Sequence, residues 1–231
     1  MKRRAALWPV RLSRIFLSLI FLSIPFVHAA ETTLARDGNA AMSVVLSADA
    51  GESLQTVAAE LADYLSRMSL RPGSGQAGAE FAVTHGDGAG GIVLGTLEQF
   101  PQYRSAELEE ALEIRNGIDG KEAYVIRTEP ERVLLLGNTE TGASHAAFRL
   151  LEELGCRWFF PAPEWEVIPE PAAKLTVDLH IDDRPAILAR NLWYQWGFFE
   201  RGGRCQADFD AWSRRNRRAA SFEVSIRHAW D

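Results

Sequence analysis

Apolar residues at Leu54, Val57, Ala58, Leu61, Leu65 and Met68 fall on one stripe of a 3.6-residue period and predict a helix over 52–70. Arg71-Pro72-Gly73-Ser74-Gly75 stops it. A second stripe, Ala143, Ala146, Ala147, Leu150, Leu151 and Leu154, predicts a second long helix. Asn138 or Thr139 can accept its first free backbone N–H groups, and Gly155 can take the left-handed position just past its end. Short apolar runs bounded by turn residues predict strands over 42–48, 81–84, 91–96, 123–128, 132–136, 164–169 and 174–181. Glu129-Pro130-Glu131 joins two of them as a hairpin, and 105–113 reads as a small acidic helix.

Short strands, neighbouring hairpins and two one-sided helices predict an α/β domain: a mixed sheet with the helices packed on one face. Composition agrees with a globular chain. Of 231 residues, 47% are hydrophobic and 24% charged, which excludes a disordered tail, a fibre and a polytopic membrane protein. The net charge of −6 has the wrong sign for a general nucleic-acid binder, so no nucleic-acid partner is expected. Two cysteines are too few for a disulfide scaffold or a zinc finger, and neither a metal site nor an organic cofactor is visible.

The charge is unevenly spread. Residues 1–30 carry Lys2, Arg3, Arg4, Arg11 and Arg14 and no acid; residues 31–183 have 11 basic and 26 acidic residues; residues 184–231 have nine basic and five acidic. The first segment runs from a basic start through the apolar stretch 15–27 to Val27-His28-Ala29-Ala30, the order of a secretory signal peptide. Its 13 apolar-region residues fall short of the roughly 20 that span a bilayer, so the expectation is a periplasmic or secreted protein without a stable membrane span after cleavage. Export also permits a Cys156–Cys205 disulfide, while a small buried apolar residue is the other reading of Cys156.

Residues 184–231 differ in chemistry from what precedes them. A strand over 187–193, a basic amphipathic helix over 208–220 and a strand over 222–226 form one strand-helix-strand unit, too little for a (β/α)8 barrel of about 250 residues. The segment either packs on the preceding domain or opens a longer protein, and the second is the expectation.

Resemblance enters through Tyr124-Val125-Ile126, Val133-Leu134-Leu135-Leu136-Gly137, Thr139-Glu140-Thr141-Gly142, Phe148-Arg149-Leu150-Leu151-Glu152 and Leu154-Gly155-Cys156-Arg157-Trp158-Phe159-Phe160-Pro161. In this order they resemble the N-terminal domain of α-glucuronidases and of β-N-acetylhexosaminidase-like glycoside hydrolases, over 40–183 and more loosely over 184–231. After the signal peptide at 1–30, the resemblance implies a non-catalytic companion domain at 31–183 and, at 184–231, the start of an incomplete (β/α)8 catalytic barrel. It implies a carbohydrate substrate, bound through a downstream barrel, and catalytic carboxylates beyond the residues here, so no catalytic residue is assigned. The other class is a stand-alone periplasmic module that binds carbohydrate or a partner without chemistry.

Arg190-Asn191-Leu192-Trp193 and Glu200-Arg201-Gly202 resemble the α-glucuronidase segment that borders the sugar pocket. The candidate substrate-binding residues are therefore Arg190, Trp193 and His228. Arg190 offers a planar fork of donors for hydroxyls or a carboxylate, or else a buried ion pair between segments. Trp193 reads as pocket lining or core, and His228 as a barrel-mouth or incidental residue. The start of the second helix, Thr139–Gly142, reads as an anion site or as ordinary capping with close helix–sheet contact. The Arg157–Phe160 stretch reads as a sugar-stacking surface or as a wedge between domains. Arg214, Arg215, Arg217 and Arg218 read as a solvated helix face, and Glu109-Glu110, Glu152-Glu153 and Asp182-Asp183 as sequence neighbours, not a catalytic pair.

Overall fold

A computed structural model of the chain describes residues 31–69, 78–190, 192 and 204–219. The first elements are β1 Thr32–Arg36, β2 Asn39–Ala40, β3 Val44–Leu46, α1 Glu52–Arg67, β4 Val83–His85 and β5 Gly91–Thr96. A 3-10 turn, Pro101–Tyr103, leads to α2 Ala106–Ala111, β6 Tyr124–Glu129, β7 Arg132–Gly137 and α3 Glu140–Glu153. Then come β8 Arg157–Trp158, β9 Glu166–Val167, β10 Lys174–Val177, β11 His180–Asp183 and α4 Arg204–Arg215.

Six strands form the main sheet in the order β11-β6-β7-β5-β3-β4. β4, β3, β5 and β7 run parallel, while β6 and β11 add antiparallel to the far side, so the sheet is mixed. The hairpin at Pro130-Glu131 joins β6 and β7 in register from Tyr124↔Gly137 to Glu129↔Arg132. β5, β6 and β7 are apolar on both faces because both faces are covered.

On one face, Ile92, Leu94, Ile126, Val133 and Leu135 pack against the stripes of α1 and α3. On the other, Val93, Val125, Leu134 and Leu136 meet Phe100, Leu108 and Leu112. Helices therefore lie on both faces, which corrects the one-sided arrangement. The long pair sits where the stripes demand it, and α2 with the 3-10 turn closes the second core that the doubly apolar strands require.

Thr139 caps α3 by accepting from the Gly142 N–H, and Gly155 takes the left-handed conformation just past its end at φ 105°. The strand expected over 174–181 is two strands broken at Asp178-Leu179. β10 pairs with β1 in a small second sheet, β11 pairs with β6, and Thr128 bonds both ways with the Leu179 main chain at the break. α4 starts at Arg204, earlier than expected, and residues 185–190 carry no strand. The signal segment, most of the expected first barrel strand and the strand over 222–226 lie outside the described residues.

Candidate functional site

The richest chemistry among the described residues lies where 184–190 and α4 return to the domain. Arg184 pins the start, donating to the carbonyls of Ala111 at 3.0 Å and Glu113 at 3.3 Å. A cleft of about 320 Å³ then opens, lined by Tyr124, His145, Asp183, Ile187, Arg190 and Arg217 among others. Arg190 donates through Nη2 to Glu122 Oε2, through Nε and Nη2 to the Arg217 carbonyl at 3.1 and 2.9 Å, and through Nη1 to the Ile187 carbonyl at 2.6 Å. Arg190 thus makes an ion pair between segments. Trp193 and His228 lie outside the described residues.

The arginines of α4 and its exit are clamps, not the solvated face expected from sequence. Arg214 pairs with Glu60, Arg215 lies 3.4 Å from Glu166 and 3.6 Å from the second oxygen of Glu60, and Arg217 pairs with Glu152 at 2.6 Å. Side-chain exposures between 13% and 29% put these pairs between the fully exposed case, typically about 0–1 kcal/mol, and the buried case, where desolvation offsets the attraction.

Trp158 is the hub under α4. Its Nε1 donates to Tyr64 Oη at 2.8 Å and Glu166 Oε1 at 3.0 Å, and its carbonyl accepts from Trp212 Nε1 and Asn216 Nδ2, both at 3.1 Å. Its ring meets Tyr64 and Phe148 edge-on at 5.6 and 5.9 Å. Burial holds Glu166 above the usual carboxylate range, with Arg215 pulling it down and Asp63 and Glu60 pushing it up. Arg157 bonds the carbonyls at the end of α3, and Trp158 is buried, so this half of the Arg157–Phe160 stretch is the wedge. Phe159 and Phe160 are exposed.

His145, on α3, is 2% exposed; its Nδ1 has no hydrogen-bond partner and lies 3.8 Å from Glu122 Oε2. Burial, then Arg190 and Arg217, pulls its imidazole down to about 3, against a smaller upward pull from the Glu122 main chain. It is neutral at neutral pH. Tyr124 donates to Asp183 at 2.7 Å, and burial followed by that bond pushes the phenol far above its ordinary value.

The remaining candidates resolve as structure. At the start of α3 the Glu140 carboxylate accepts from the Gly51 N–H and from Gln99, both at 2.8 Å, while Gly142 lies against the Ala123 carbonyl, so this end is capped and close-packed. Cys156 is a buried free thiol 3.7 Å from the Met68 sulfur, pushed up to about 11 by burial. Glu107, His180 and Asp182 are the one group among the described residues with metal-ligand spacing. The Arg127 guanidinium already lies between its two carboxylates, at 2.9 and 2.6 Å. Glu152 and Glu153 engage separate arginines, Arg217 and Arg149, and do not converge.

Sequence reasoning missed Glu60, Glu122 and Glu166, and named Glu152 without its arginine partner. The signal that points to them is the charge contrast between 31–183 and the basic segment, which calls for acidic partners without naming them.

A family model described as the glycosyl hydrolase family 67 N-terminus matches residues 27–150. The chain belongs to that family. It thus carries the N-terminal domain of α-glucuronidase-like hydrolases, and its setting is carbohydrate breakdown. The match covers β1 to the body of α3, and ends before the Trp158 hub and α4. No curated protein matches the chain. Among the described residues, no helix is long and apolar enough to cross a membrane.

Proposed function

We propose that the chain is the N-terminal portion of an exported glycoside hydrolase. Residues 1–30 direct export to the periplasm or beyond, 31–183 form a non-catalytic companion domain, and 184–231 open a (β/α)8 barrel. The carbohydrate is bound and cut further along that barrel, by paired carboxylates of the barrel itself. Arg190, Trp193 and His228 are its candidate substrate-binding residues.

The observation that supports this reading is the docking of the basic segment on the family domain through Arg190–Glu122, Arg214–Glu60 and Arg217–Glu152. Such a clamp fixes the position of whatever follows it, which is what a companion domain is for. The same docking favours a second reading, a stand-alone periplasmic module that binds carbohydrate or a partner protein without chemistry.

The intact mass of the native exported protein separates the two. Signal removal near residue 30 leaves about 22 kDa of this sequence. A much larger species supports the hydrolase portion; a species at about 22 kDa overturns it in favour of the module. Purified residues 31–231 are expected to leave aryl glycosides uncut, and turnover by them refutes the non-catalytic assignment.

A further inference from the structure

We propose that Phe160 and Trp165 form a stacking platform for a neutral pyranose chain, and that the recess beside them, against α4, holds one of its sugar rings. The inference rests on the carbohydrate setting of the family, and neither on export nor on a barrel downstream.

The ribbon of β8 and β9 builds the platform. Its strands pair Arg157 with Val167 and Trp158 with Glu166. The turn between them contains Pro161 and Pro163 and is tied by three main-chain bonds: Ala162 N–H to Phe160 at 2.8 Å, Trp165 N–H to Ala162 at 3.0 Å and Phe159 N–H to Trp165 at 3.1 Å. Among the described residues, every exposed Phe, Tyr or Trp side chain lies on this turn: Phe159, Phe160 and Trp165, each more than half exposed. Large apolar groups gathered in water mark a contact surface. The Phe160 and Trp165 ring centroids are 6.2 Å apart with planes at 59°, so their faces make one angled surface. The braced turn holds them in place, and a ligand that rests on them has little ordering left to do.

Phe160 also walls a recess of about 150 Å³, completed by Glu166 of β9 and by Asp208, Trp212 and Arg215 of α4 among others. Aromatic faces beside carboxylates suit a pyranose, whose C–H face packs on a ring while its hydroxyls donate to oxygen. Glu166 accepts from Trp158 and Arg215 on one oxygen and from Arg67 on the other, three donors for about four lone pairs. An apolar partner would have to bury Glu166 and Asp208 against nothing that bonds them, whereas sugar hydroxyls replace their water. The charge selects against acidic sugars. Arg215 is the guanidinium in this wall, and Glu60 and Glu166 already engage it, so the recess offers no planar fork for a uronate.

The whole chain is titrated with cellohexaose and with xylohexaose, neutral chains whose equatorial substituents leave flat C–H faces. Hexagalacturonate serves as the acidic probe, and amide and indole signals are followed by NMR. At least one neutral chain is expected to give saturating shifts at Phe160, Trp165 and Trp212 with a Kd of about 1 mM, and hexagalacturonate to bind at least about tenfold more weakly. Trp165→Ala and Phe160→Ala are each expected to weaken binding about tenfold while leaving thermal unfolding unchanged, since both side chains are exposed; Trp165→Phe, which keeps a ring, recovers part of it. The proposal is overturned if neither neutral chain saturates, if the shifts fall away from the ribbon and α4, if Trp165→Ala binds as wild type does, or if hexagalacturonate binds as tightly. Self-association that Phe160→Ala abolishes, without sugar binding, overturns it in favour of a second copy on the patch. The wild-type shift map decides the matter on its own if the variants do not fold.

Discussion

Gly142→Ala places a methyl group where α3 leans on the chain just before β6. In an exposed helix this change gains about 1 kcal/mol. Here the new Cβ falls well under 3.0 Å from the Ala123 carbonyl oxygen and 3.2 Å from the Gly137 Cα. Both neighbours are backbone, so no side chain can rotate away, and α3 must retreat by about 1 Å. That opens the core around Ala143, Ala146, Ala147, Leu150 and Leu151, each fully buried. Overpacking of this kind costs about 3 kcal/mol, for a net loss of about 2 kcal/mol. For a chain of this length that lowers Tm by about 4–8 °C. Urea unfolding followed by circular dichroism, with a thermal melt, measures it. Equal or higher stability would refute the close contact.

Trp158→Phe keeps an aromatic ring but strips the donor shared by Tyr64 and Glu166 and part of the buried ring, and is expected to cost about 1–3 kcal/mol in urea unfolding; a loss under about 0.5 kcal/mol means those bonds do not matter. Iodoacetamide at pH 8 is expected to leave Cys156 unmodified in the native chain, because burial holds the thiol at about 11; peptide mapping that finds it alkylated would contradict the buried placement. His145 bears on global stability too. Its folded value, about 3, lies below the unfolded value of about 6.5, so between them the unfolded state holds the extra proton. The stability is complete above about pH 6.5 and drains away as pH falls, by up to about 1.4 kcal/mol per pH unit. Wild type and His145→Asn with identical pH–stability curves would rule this out.

Local periodicity made the two long helices legible, because α1 and α3 each bury one stripe against the sheet, and the residues that start and stop α3, Thr139 and Gly155, sit where the sequence places them. The hairpin was legible for the same reason: Glu129-Pro130-Glu131 permits little else between two apolar runs. β1 was not, because Thr32 to Arg36 is short and mixed, and becomes a strand only by pairing with β10. The split of 174–181 was hidden as well, since its two halves serve different sheets and nothing local marks the change of partner. At the site, the arginines could be read but their partners could not. Glu122 and Arg190 are 68 residues apart, and Glu60 and Arg214 are 154 apart, so their meeting belongs to the tertiary fold.

The pairing of β1 with β10 has a consequence for how the domain is made. Glu31 and Lys174, 143 residues apart, close the seam at 3.0 Å. A ribosome delivers β1 143 residues before its partner, so the edge of β1 that β10 takes must wait unpaired while those residues are made. The seam is thus a late step in assembly, and the stage before it is where a chaperone has an open strand to hold.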